Sequence, residues 1–540
     1  MVQFRINDKI TDKFNDRDDI IIGEIINYND ILKYINGCYS IREVKSGTNY
    51  NVSDVNLYKY LFDLGVNLID EIYSPVYNYY LIAHAADLGY DSVVQYLIEI
   101  GADVNIDDNS PINYASFNGH YSTVKLLLAH SKNAGYDMMY AIKSNNHSII
   151  KLLLDAGGNI NIDNNNLIRY VAEFCSLDLL KLLISYSTDS NYHEAFETVV
   201  TRGHIDKVKY FIDLGVIDYG KSLVLASKHN HIEIVKLFIS LGYDDLFMND
   251  AIYFASERGN YDIVKLLIEN NANINYSIVV ASESGHLNIV KLLIEHGADV
   301  TVDSNQTICE AAGKGHISIV KLLIEHGADV QANSNSPVGF AAQNGHIDMV
   351  KFLIEQGADF TDDDNYAICM AALYGHLSVV KLFIDNGADV DCDNNFSIRK
   401  ASRHGHVDTV KLLIDNGADI TAKNNYAFRK ACKYGHLDVV KLLINLGAAI
   451  TIKNNYAFKE ACKFGHLDVA KLLIDNGADI TAENNQVLRR ASKYGTKNII
   501  QLLIDNNADI TVDNNYAIKI ATKNNHIDVI ELLLKYGASL

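Results

Sequence analysis

The sequence contains no tryptophan, only 3 prolines in 540 residues and no run of eighteen uncharged apolar residues. Since proline interrupts helices, so low a content suits a chain built mostly from short, continuous helices. A helix that spans a membrane needs about 20 predominantly apolar residues, so the sequence predicts no transmembrane segment. The first residues also lack a basic segment followed by a long apolar run, which predicts that the protein is not secreted.

The cysteines are few, odd in number and scattered, and none stands in a Cys-x-x-Cys pair. This pattern argues against a disulfide framework and against a zinc site. It predicts a reducing location, the cytoplasm or the nucleus. The seven cysteines are Cys38, Cys175, Cys309, Cys369, Cys392, Cys432 and Cys462.

Acidic residues outnumber basic residues by 67 to 47, and the resulting formal charge of −20 ordinarily disfavours nucleic acid as a partner. The charge is unevenly distributed. Residues 391–540 hold 20 Lys and Arg against 16 Asp and Glu, a net charge of +4, so residues 1–390 carry −24. The last 150 residues are therefore the part of the chain in which an anionic partner is most plausible.

A segment typified by KYGHLDVVKLLI recurs along the chain, and the position of its glycine gives the period. The last eight intervals between equivalent positions are 30 residues each, and the earlier intervals are 26 to 30 residues. Sixteen repeated units follow from this alignment. The equivalent positions are Gly89, Gly119, Asn146, Cys175, Gly203, Asn230, Gly259, Gly285, Gly315, Gly345, Gly375, Gly405, Gly435, Gly465, Gly495 and Asn525.

The unit at 423–452 shows how each repeat is expected to fold. Asn425 follows a second asparagine that tolerates turn angles, and it is a candidate to cap the first helix. Phe428, Ala431 and Cys432 then recur at helical spacing and are predicted to face the core. The small pair of residues at 431 and 432 would let the neighbouring unit approach closely.

The second helix of this unit follows a tight reversal at Gly435. Its polar positions, Asp438, Lys441 and Asn445, form a narrow stripe, and the remaining positions are apolar, so the helix is predicted to be covered on more than one side. Gly447 supplies a left-handed residue that ends it. One helical pair cannot bury so much apolar surface by itself, whereas a stack of pairs can.

The pattern A-x-x-x-GH-x-x-V-KLLI-x-x-GAD resembles the ankyrin repeat over roughly residues 77–540. The resemblance implies an all-α ankyrin-repeat solenoid of about sixteen helix–turn–helix units whose first helices line a concave groove. Two departures bear on function. The family's Thr-Pro-Leu-His opening survives weakly at Ser110–Asn113 and Ser336–Gly339, and the period is 30 rather than 33 residues. The hairpins are therefore expected to be short, which moves attention to the first helices.

The expected organisation is an N-terminal cap region at 1–76, with a partial repeat near 57–68, followed by the repeat array at 77–540. A small recruiting domain, such as an F-box or BTB domain, is the less favoured interpretation of the N-terminal region. The units are expected at 77–106, 107–133, 134–162, 163–190, 191–217, 218–246, 247–272, 273–302, 303–332, 333–362, 363–392, 393–422, 423–452, 453–482, 483–512 and 513–540.

The Asn-, Ile-, Tyr- and Lys-rich composition, with GHLDVVKLLIDNGADI repeated almost unchanged, is similar to the large ankyrin-repeat families of giant DNA viruses of amoebae. This resemblance implies a virus-encoded monomer that acts inside the host cell. It also implies a scaffold or adaptor that binds a host or viral protein through the groove.

No arrangement typical of catalysis stands out from the repeat, so we predict a protein that is not an enzyme and has no cofactor. Cys432 and Cys462 occupy a buried packing position, and the glycines end helices and do not form a phosphate-binding loop. Histidine also recurs at the turn, but successive units lie about 8–10 Å apart, too far for two histidines to share one zinc ion. The histidines are His120, His204, His286, His316, His346, His376, His406, His436 and His466.

The first helices of the last five units carry basic and aromatic residues at positions that tend toward the groove in ankyrin repeats. We call this set the basic stripe, and its residues are the candidate partner-binding site. It comprises Arg399, Lys400, Arg403, Arg429, Lys430, Lys433, Tyr434, Lys459, Lys463, Phe464, Arg489, Arg490, Lys493, Tyr494, Lys519 and Lys523.

Three interpretations of the basic stripe remain open. Its lysines and arginines could merely balance acidic second helices, copied as the units were duplicated. They could instead bind a protein with an acidic segment, or a nucleic acid or another polyanion, of which the protein is favoured because no nucleic-acid-binding motif is present. A further possibility for the whole protein is a pure spacer or scaffold, for which the stripe would not be a binding surface.

Overall fold

The computed structural model describes residues 41–42, 49–50, 73–74, 79–99, 101–131, 138–160, 166–187, 191–216, 219–242 and 245–540. Most of the expected cap region at 1–76, including the partial repeat near 57–68, lies outside the described residues. The chain divides into two compact units, Met1–Asp218 and Tyr219–Leu540, a division that the uniform repeat did not predict.

The first compact unit contains ten described helices, arranged as five pairs. They are α1 (Leu81–Asp87), α2 (Asp91–Glu99), α3 (Ile106–Phe117), α4 (Tyr121–His130), α5 (Met138–Lys143), α6 (His147–Asp155), α7 (Asn166–Phe174), α8 (Leu177–Tyr186), α9 (His193–Arg202) and α10 (Ile205–Asp213).

The same unit holds two short antiparallel strand pairs. Strands β1 (Ile41–Arg42) and β2 (Asn49–Tyr50) form one pair, and β3 (Tyr73–Ser74) and β4 (Tyr79–Tyr80) form the other. Each strand has two residues, and β4 leads directly into α1.

The second compact unit contains eleven further pairs of helices in the described chain. They are α11 (Tyr219–Lys228), α12 (Ile232–Leu241), α13 (Asp245–Arg258), α14 (Tyr261–Glu269), α15 (Asn275–Glu283), α16 (Leu287–Glu295), α17 (Val302–Gly313), α18 (Ile317–Glu325), α19 (Ala332–Gln343), α20 (Ile347–Glu355), α21 (Asp362–Tyr374), α22 (Leu377–Asp385), α23 (Cys392–His404), α24 (Val407–Asp415), α25 (Ala422–Tyr434), α26 (Leu437–Asn445), α27 (Ile452–Lys463), α28 (Leu467–Asp475), α29 (Ala482–Tyr494), α30 (Lys497–Asp505), α31 (Val512–Lys523) and α32 (Ile527–Lys535).

Within the second compact unit, each first helix packs against its own second helix and against the first helix of the next pair. Second helices pack on second helices in the same way, so that α24 contacts α26 and α26 contacts α28. Each pair therefore covers the apolar face of its neighbour, as a stack of repeats requires. The prediction of an all-α solenoid of about sixteen helical pairs is confirmed.

The core of each pair follows the expected pattern. In α25, Phe428, Ala431 and Cys432 are completely buried, as predicted from their helical spacing. Val440 and Leu443 of α26 are also fully buried and complete the core of this pair. Two small residues and one large residue on the first helix thus meet two branched residues on the second.

The turn that opens the first helix differs from the sequence prediction. Lys423, Asn424 and Asn425 all have left-handed backbone angles, with φ of 49°, 59° and 53°, and form a single left-handed turn before the helix proper. Asparagine adopts this conformation more readily than most residues. The proposed cap is wrong, because the Oδ1 atom of Asn425 is buried without a hydrogen-bond partner.

In neighbouring pairs the equivalent asparagine links one unit to the next. The backbone N–H of Asp419 donates to Oδ1 of Asn395 at 2.6 Å, and the N–H of Asp479 donates to Oδ1 of Asn455 at 3.3 Å. The carboxylate of Asp419 also accepts hydrogen bonds from the N–H and the hydroxyl of Thr421, both at 2.7 Å. These bonds satisfy backbone groups in the connections between pairs.

The turn glycine and the following unit's histidine fit together closely. Gly435 has φ of 78°, and a Cβ atom placed on it would lie 2.5 Å from Nδ1 of His466. Gly447, which ends α26 as predicted, has φ of 86°, but a Cβ atom there would meet nothing within 4 Å. Both positions favour glycine for backbone reasons, whereas only Gly435 must also make room for a ring.

We expect Gly435→Ala to lower the free energy of unfolding by about 1–3 kcal/mol more than Gly447→Ala, because only the first adds overlap to the backbone strain that both share. The measurement is thermal unfolding followed by far-UV circular dichroism. Replacing His466 with alanine serves as the second arm of a double-mutant cycle. Gly435→Ala should cost less in that background, and an equal cost would contradict the proposed overlap.

Candidate functional site

The recurring histidines join successive turns by hydrogen bonds. Nε2 of His436 lies 2.8 Å from the backbone oxygen of Arg403 in the preceding unit, and Nε2 of His466 lies 2.9 Å from that of Lys433. A carbonyl oxygen only accepts, so Nε2 carries the proton and donates. Nine such bonds have lengths of 2.8–3.1 Å, made by His120, His204, His286, His316, His376, His406, His436, His466 and His526.

The histidines therefore stabilise the junctions between units, as the structural interpretation of the ladder predicted. Thr496 occupies the position of the recurring histidine in the fifteenth unit. A Cβ atom placed on Gly465 would lie 3.7 Å from Cγ2 of Thr496, an ordinary van der Waals contact. No group of three or more His, Cys, Asp or Glu side chains in the described part of the chain is placed to hold a metal ion. Among the same residues, no helix is both long enough and apolar enough to cross a membrane.

The buried cysteines are poorly suited to nucleophilic chemistry. Cys432 and Cys462 are at most 1% exposed, and burial raises the pKa of both thiols. Burial, together with the nearby Glu310, raises the pKa of Cys309 to about 12. The thiolate is the reactive form of cysteine, so these side chains stay largely unreactive near neutral pH.

The residues of the basic stripe lie in four rows of first-helix positions that run from unit to unit. The rows also contain His404, Glu460, Ile520 and Asn524, which are not part of the stripe. The outer row comprises Arg399, Arg429, Lys459, Arg489 and Lys519, six residues before each turn position. The second row, five residues before it, comprises Lys400, Lys430, Glu460, Arg490 and Ile520. The inner row, two residues before it, comprises Arg403, Lys433, Lys463, Lys493 and Lys523. The rim row, immediately before it, comprises His404, Tyr434, Phe464, Tyr494 and Asn524.

The outer row holds the left-handed turns in place. Nε of Arg429 donates to the backbone oxygen of Asn424 at 2.9 Å, and its Nη2 donates to that of Lys423 at 3.1 Å. Arg399 makes the equivalent pair of bonds, at 3.0 and 2.8 Å, and is only 7% exposed. Nζ of Lys519 donates to the backbone oxygen of Asn514 at 2.7 Å. These cations compensate carbonyl groups that the left-handed turn leaves without helical partners.

Two members of the outer row also reach the next unit. Nζ of Lys459 lies 2.9 Å from a carboxylate oxygen of Glu483, and Nη1 of Arg489 lies 3.3 Å from one of Asp513. Lys459 is only 6% exposed. The outer row therefore contributes to the structure of the array as well as to its charge.

Aromatic residues that the sequence analysis did not include in the stripe support its outer edge. The guanidinium of Arg399 lies 5.5 Å from the ring centres of both Phe396 and Tyr426. That of Arg429 lies 5.7 Å from the ring of Tyr426 and 5.3 Å from that of Tyr456. The sequence contained this signal, because an aromatic residue stands where the family's opening threonine would be in four of the five units, at Phe396, Tyr426, Tyr456 and Tyr516, with Gln486 as the exception.

The second row is interrupted by a buried carboxylate. Lys400 and Lys430 lie over the rings of Phe396 and Tyr426, at 4.8 and 5.1 Å. Glu460, 6% exposed, is 3.4 Å from Arg490. The same carboxylate lies 3.8 Å from Lys433 of the inner row. Positive charge in this row is therefore partly neutralised near the fourteenth unit.

The inner row and the rim row form an alternating series of cations and rings. The side chain of Arg403 lies 5.3 Å from the ring centre of Tyr434. Nζ of Lys433 lies between Tyr434 and Phe464, at 5.7 and 5.2 Å, and Nζ of Lys463 lies between Phe464 and Tyr494, at 5.0 and 5.6 Å. Such contacts hold flexible side chains close to apolar surface without removing their charge.

The rings of this series are open to solvent. Tyr434, Phe464 and Tyr494 are 40%, 47% and 48% exposed, and Tyr374 in an earlier unit is 51% exposed. Burial and the neighbouring Arg403 lower the pKa of His404, so this rim residue is mainly neutral at physiological pH. The exposed surface is thus a row of rings interleaved with ammonium and guanidinium groups.

A family model described as "Ankyrin repeats (3 copies)" matches most of the chain in overlapping segments. The matched segments are residues 50–138, 81–165, 197–278, 223–304, 278–364, 339–424, 422–484 and 460–540. Three curated proteins, each named as an ankyrin repeat protein, are also similar in sequence.

FPV031 of fowlpox virus is 33% identical over 132 residues, which is 21% of this chain and 38% of the relative. R837 of Acanthamoeba polyphaga mimivirus is 26% identical over 202 residues, covering 37% of this chain and 27% of the relative. L675 of the same virus is 29% identical over 101 residues, covering 18% of this chain and 21% of the relative. The chain thus spans well under half the length of each of these relatives.

The two roles of the basic residues can be separated by a pair of substitutions. We expect Arg429→Ala to lower the free energy of unfolding by about 1–2 kcal/mol, since it removes two charge-assisted hydrogen bonds to carbonyl groups. Lys463→Ala should change it by no more than about 0.5 kcal/mol. Both variants lose cation–π contacts, so chemical denaturation of the two isolates the carbonyl bonds. Equal stabilities would show that the outer row does not hold the turns.

Proposed function

Because the chain belongs to the ankyrin-repeat family, we propose that it is a non-enzymatic scaffold or adaptor that binds a protein partner through the basic stripe. The repeats supply the framework, and the first helices supply the groove surface in this family. The short connections between units favour that surface over the hairpins. The partner is proposed to carry an acidic segment.

The observation that carries this proposal is a set of inner-row cations that have no acidic partner among the described residues. Arg403, Lys463 and Lys493 make no ion pair with any residue that the structure describes, although acidic side chains are abundant in the chain. They stand beside exposed rings, where a surface that served only the fold would gain nothing from apolar exposure. Charge complementarity with an acidic segment accounts for both features.

The origin and location of the protein enter the same proposal. Its similarity to ankyrin repeat proteins of fowlpox virus and mimivirus supports a virus-encoded protein. Such a protein would act inside the host cell, in the cytoplasm or the nucleus, as a monomer that binds a host or viral protein. The buried, unpaired thiols of Cys309, Cys432 and Cys462 are compatible with a reducing location.

Nucleic acid or another polyanion is the alternative partner, favoured only by the positive charge of the stripe. The formal charge of the whole chain is −20, because the −24 of residues 1–390 outweighs the +4 of residues 391–540. A polyanion long enough to extend beyond residues 391–540 would therefore meet net negative charge. A short acidic segment of a protein would not.

We expect the variant Lys430→Glu, Lys463→Glu and Lys493→Glu to lose partner proteins that the wild-type chain captures from host-cell extract. Quantitative mass spectrometry of the captured proteins measures the loss. The matched control is Lys381→Glu, Lys411→Glu and Lys471→Glu, which makes the same change of charge at exposed positions on second helices. Unchanged capture by the stripe variant would refute the proposed site and favour a spacer.

Filter binding tests the polyanion alternative directly. The wild-type chain is titrated with duplex DNA and with single-stranded RNA over a series of salt concentrations. We expect weak retention of both. Tight retention that falls steeply with salt, and that the stripe variant loses, would instead identify a nucleic-acid binder.

A further inference from the structure

Successive cations of the inner row lie on either side of a shared ring. Lys433 and Lys463 each lie 5.0–5.2 Å from the centre of the Phe464 ring, and Lys463 and Lys493 each lie 5.6–5.7 Å from that of Tyr494. Two cations that share a ring can therefore be no more than about 11 Å apart, in keeping with the ~8–10 Å between packed helices. Five units present one inner-row cation each, from Arg403 to Lys523.

A segment that binds along the inner row must carry negative charges on one of its sides, at the same spacing as the cations. In a β-strand, side chains alternate between two faces and recur on one face after about 7 Å, which is shorter than the row requires. In a polyproline II helix, three residues complete a turn with a rise of about 3.1 Å each. Every third side chain then points the same way at intervals of about 9 Å, which matches the row.

The exposed rings favour the same conformation. Proline-rich polyproline II segments dock onto surfaces lined with aromatic side chains, because the segment is already extended and loses little entropy on binding. Tyr434, Phe464 and Tyr494 provide such rings between the cations. In the thirteenth to fifteenth units, one ring and one cation would thus meet one turn of the bound segment.

Duplex nucleic acid fits the row poorly. Each strand of a DNA duplex carries a phosphate about every 3.4 Å, roughly three charges for each inner-row cation. Most phosphates would therefore remain without a cationic partner in the row. The spacing favours a sparse, regular distribution of negative charge.

We propose that the basic stripe recognises a polyproline II segment of a partner protein with an acidic residue at every third position. This inference rests on the proposed function and specifies its ligand. Each carboxylate lies against one inner-row cation, and the intervening prolines or apolar residues pack on the rim-row rings. The outer row, whose side chains donate hydrogen bonds to the left-handed turns, holds the first helices in position.

Two peptides of identical composition test the spacing. The first is (Glu-Pro-Pro)5, and the second has five prolines, five consecutive glutamates and five more prolines. Fluorescence anisotropy with the full chain measures both dissociation constants at low and at physiological salt. We expect the first peptide to bind at least tenfold more tightly, since only its carboxylates are distributed along the row.

The site is tested with variants of the full chain. Arg403→Glu, Lys463→Glu and Lys493→Glu together should weaken binding of (Glu-Pro-Pro)5 at least tenfold. The second-helix control, Lys381→Glu, Lys411→Glu and Lys471→Glu, should bind within a factor of two of the wild type. Circular dichroism verifies that both variants keep their helical content.

The outcomes separate this inference from the proposed function. If the two peptides bound with equal affinity and only the inner-row variant lost this binding, the three-residue spacing would be wrong. The proposal of an acidic partner at the stripe would still stand. Tighter binding of a helical peptide with glutamate at every seventh position would overturn the polyproline II conformation. Failure of every acidic peptide to bind, or equal losses in both variants, would overturn the acidic-partner site as well.

Discussion

The contact that most turn glycines make with the histidine of the next unit is the constraint on which the regularity of the array depends. Gly435 leaves the space that a Cβ would fill, and the ring of His466 occupies it while bonding to the backbone oxygen of Lys433. The ring therefore fixes both the separation and the rotation of two successive turns. Hydrophobic burial stabilises the stack, but apolar contacts are less directional than a hydrogen bond and do not by themselves fix this geometry.

This constraint also arranges the surface of the first helices. The carbonyl group that accepts the bond from His466 belongs to Lys433, whose own side chain is part of the inner row. The rim-row rings lie immediately before the turn glycines. Equivalent side chains are presented alike in successive units because the turns beneath them are joined in one geometry.

Much of the fold could be predicted from the sequence, since the period, the buried small residues and the helix-ending glycines are properties of a repeated pattern. Phe428, Ala431 and Cys432 were assigned to the core by spacing alone, and the structure confirms them. The cap assigned to Asn425 was wrong, because Asn425 itself belongs to the left-handed turn and its Oδ1 atom is buried without a hydrogen-bond partner. The division into two compact units was not predicted either.

The candidate site was predicted less completely. Spacing identified which residues share a face, but it could not show where long flexible side chains end. Arg429 and Lys463 look alike in the sequence, yet the first bonds to carbonyl groups and the second lies between two rings. The sequence therefore located the stripe without separating the cations that support the turns from those that remain available.

Thr496 interrupts the series of histidines at the junction between the fourteenth and fifteenth units. Its hydroxyl bonds within its own unit, to the backbone oxygen of Ala491, and makes no bridge to the unit before. In a linear array, the stability of the whole is approximately a sum of unit and junction terms, and this junction relies on the ion pairs Lys459–Glu483 and Glu460–Arg490 instead of a histidine bridge. The association of the last two units, 483–540, with the rest of the array is therefore more sensitive to salt than that of units joined by a histidine.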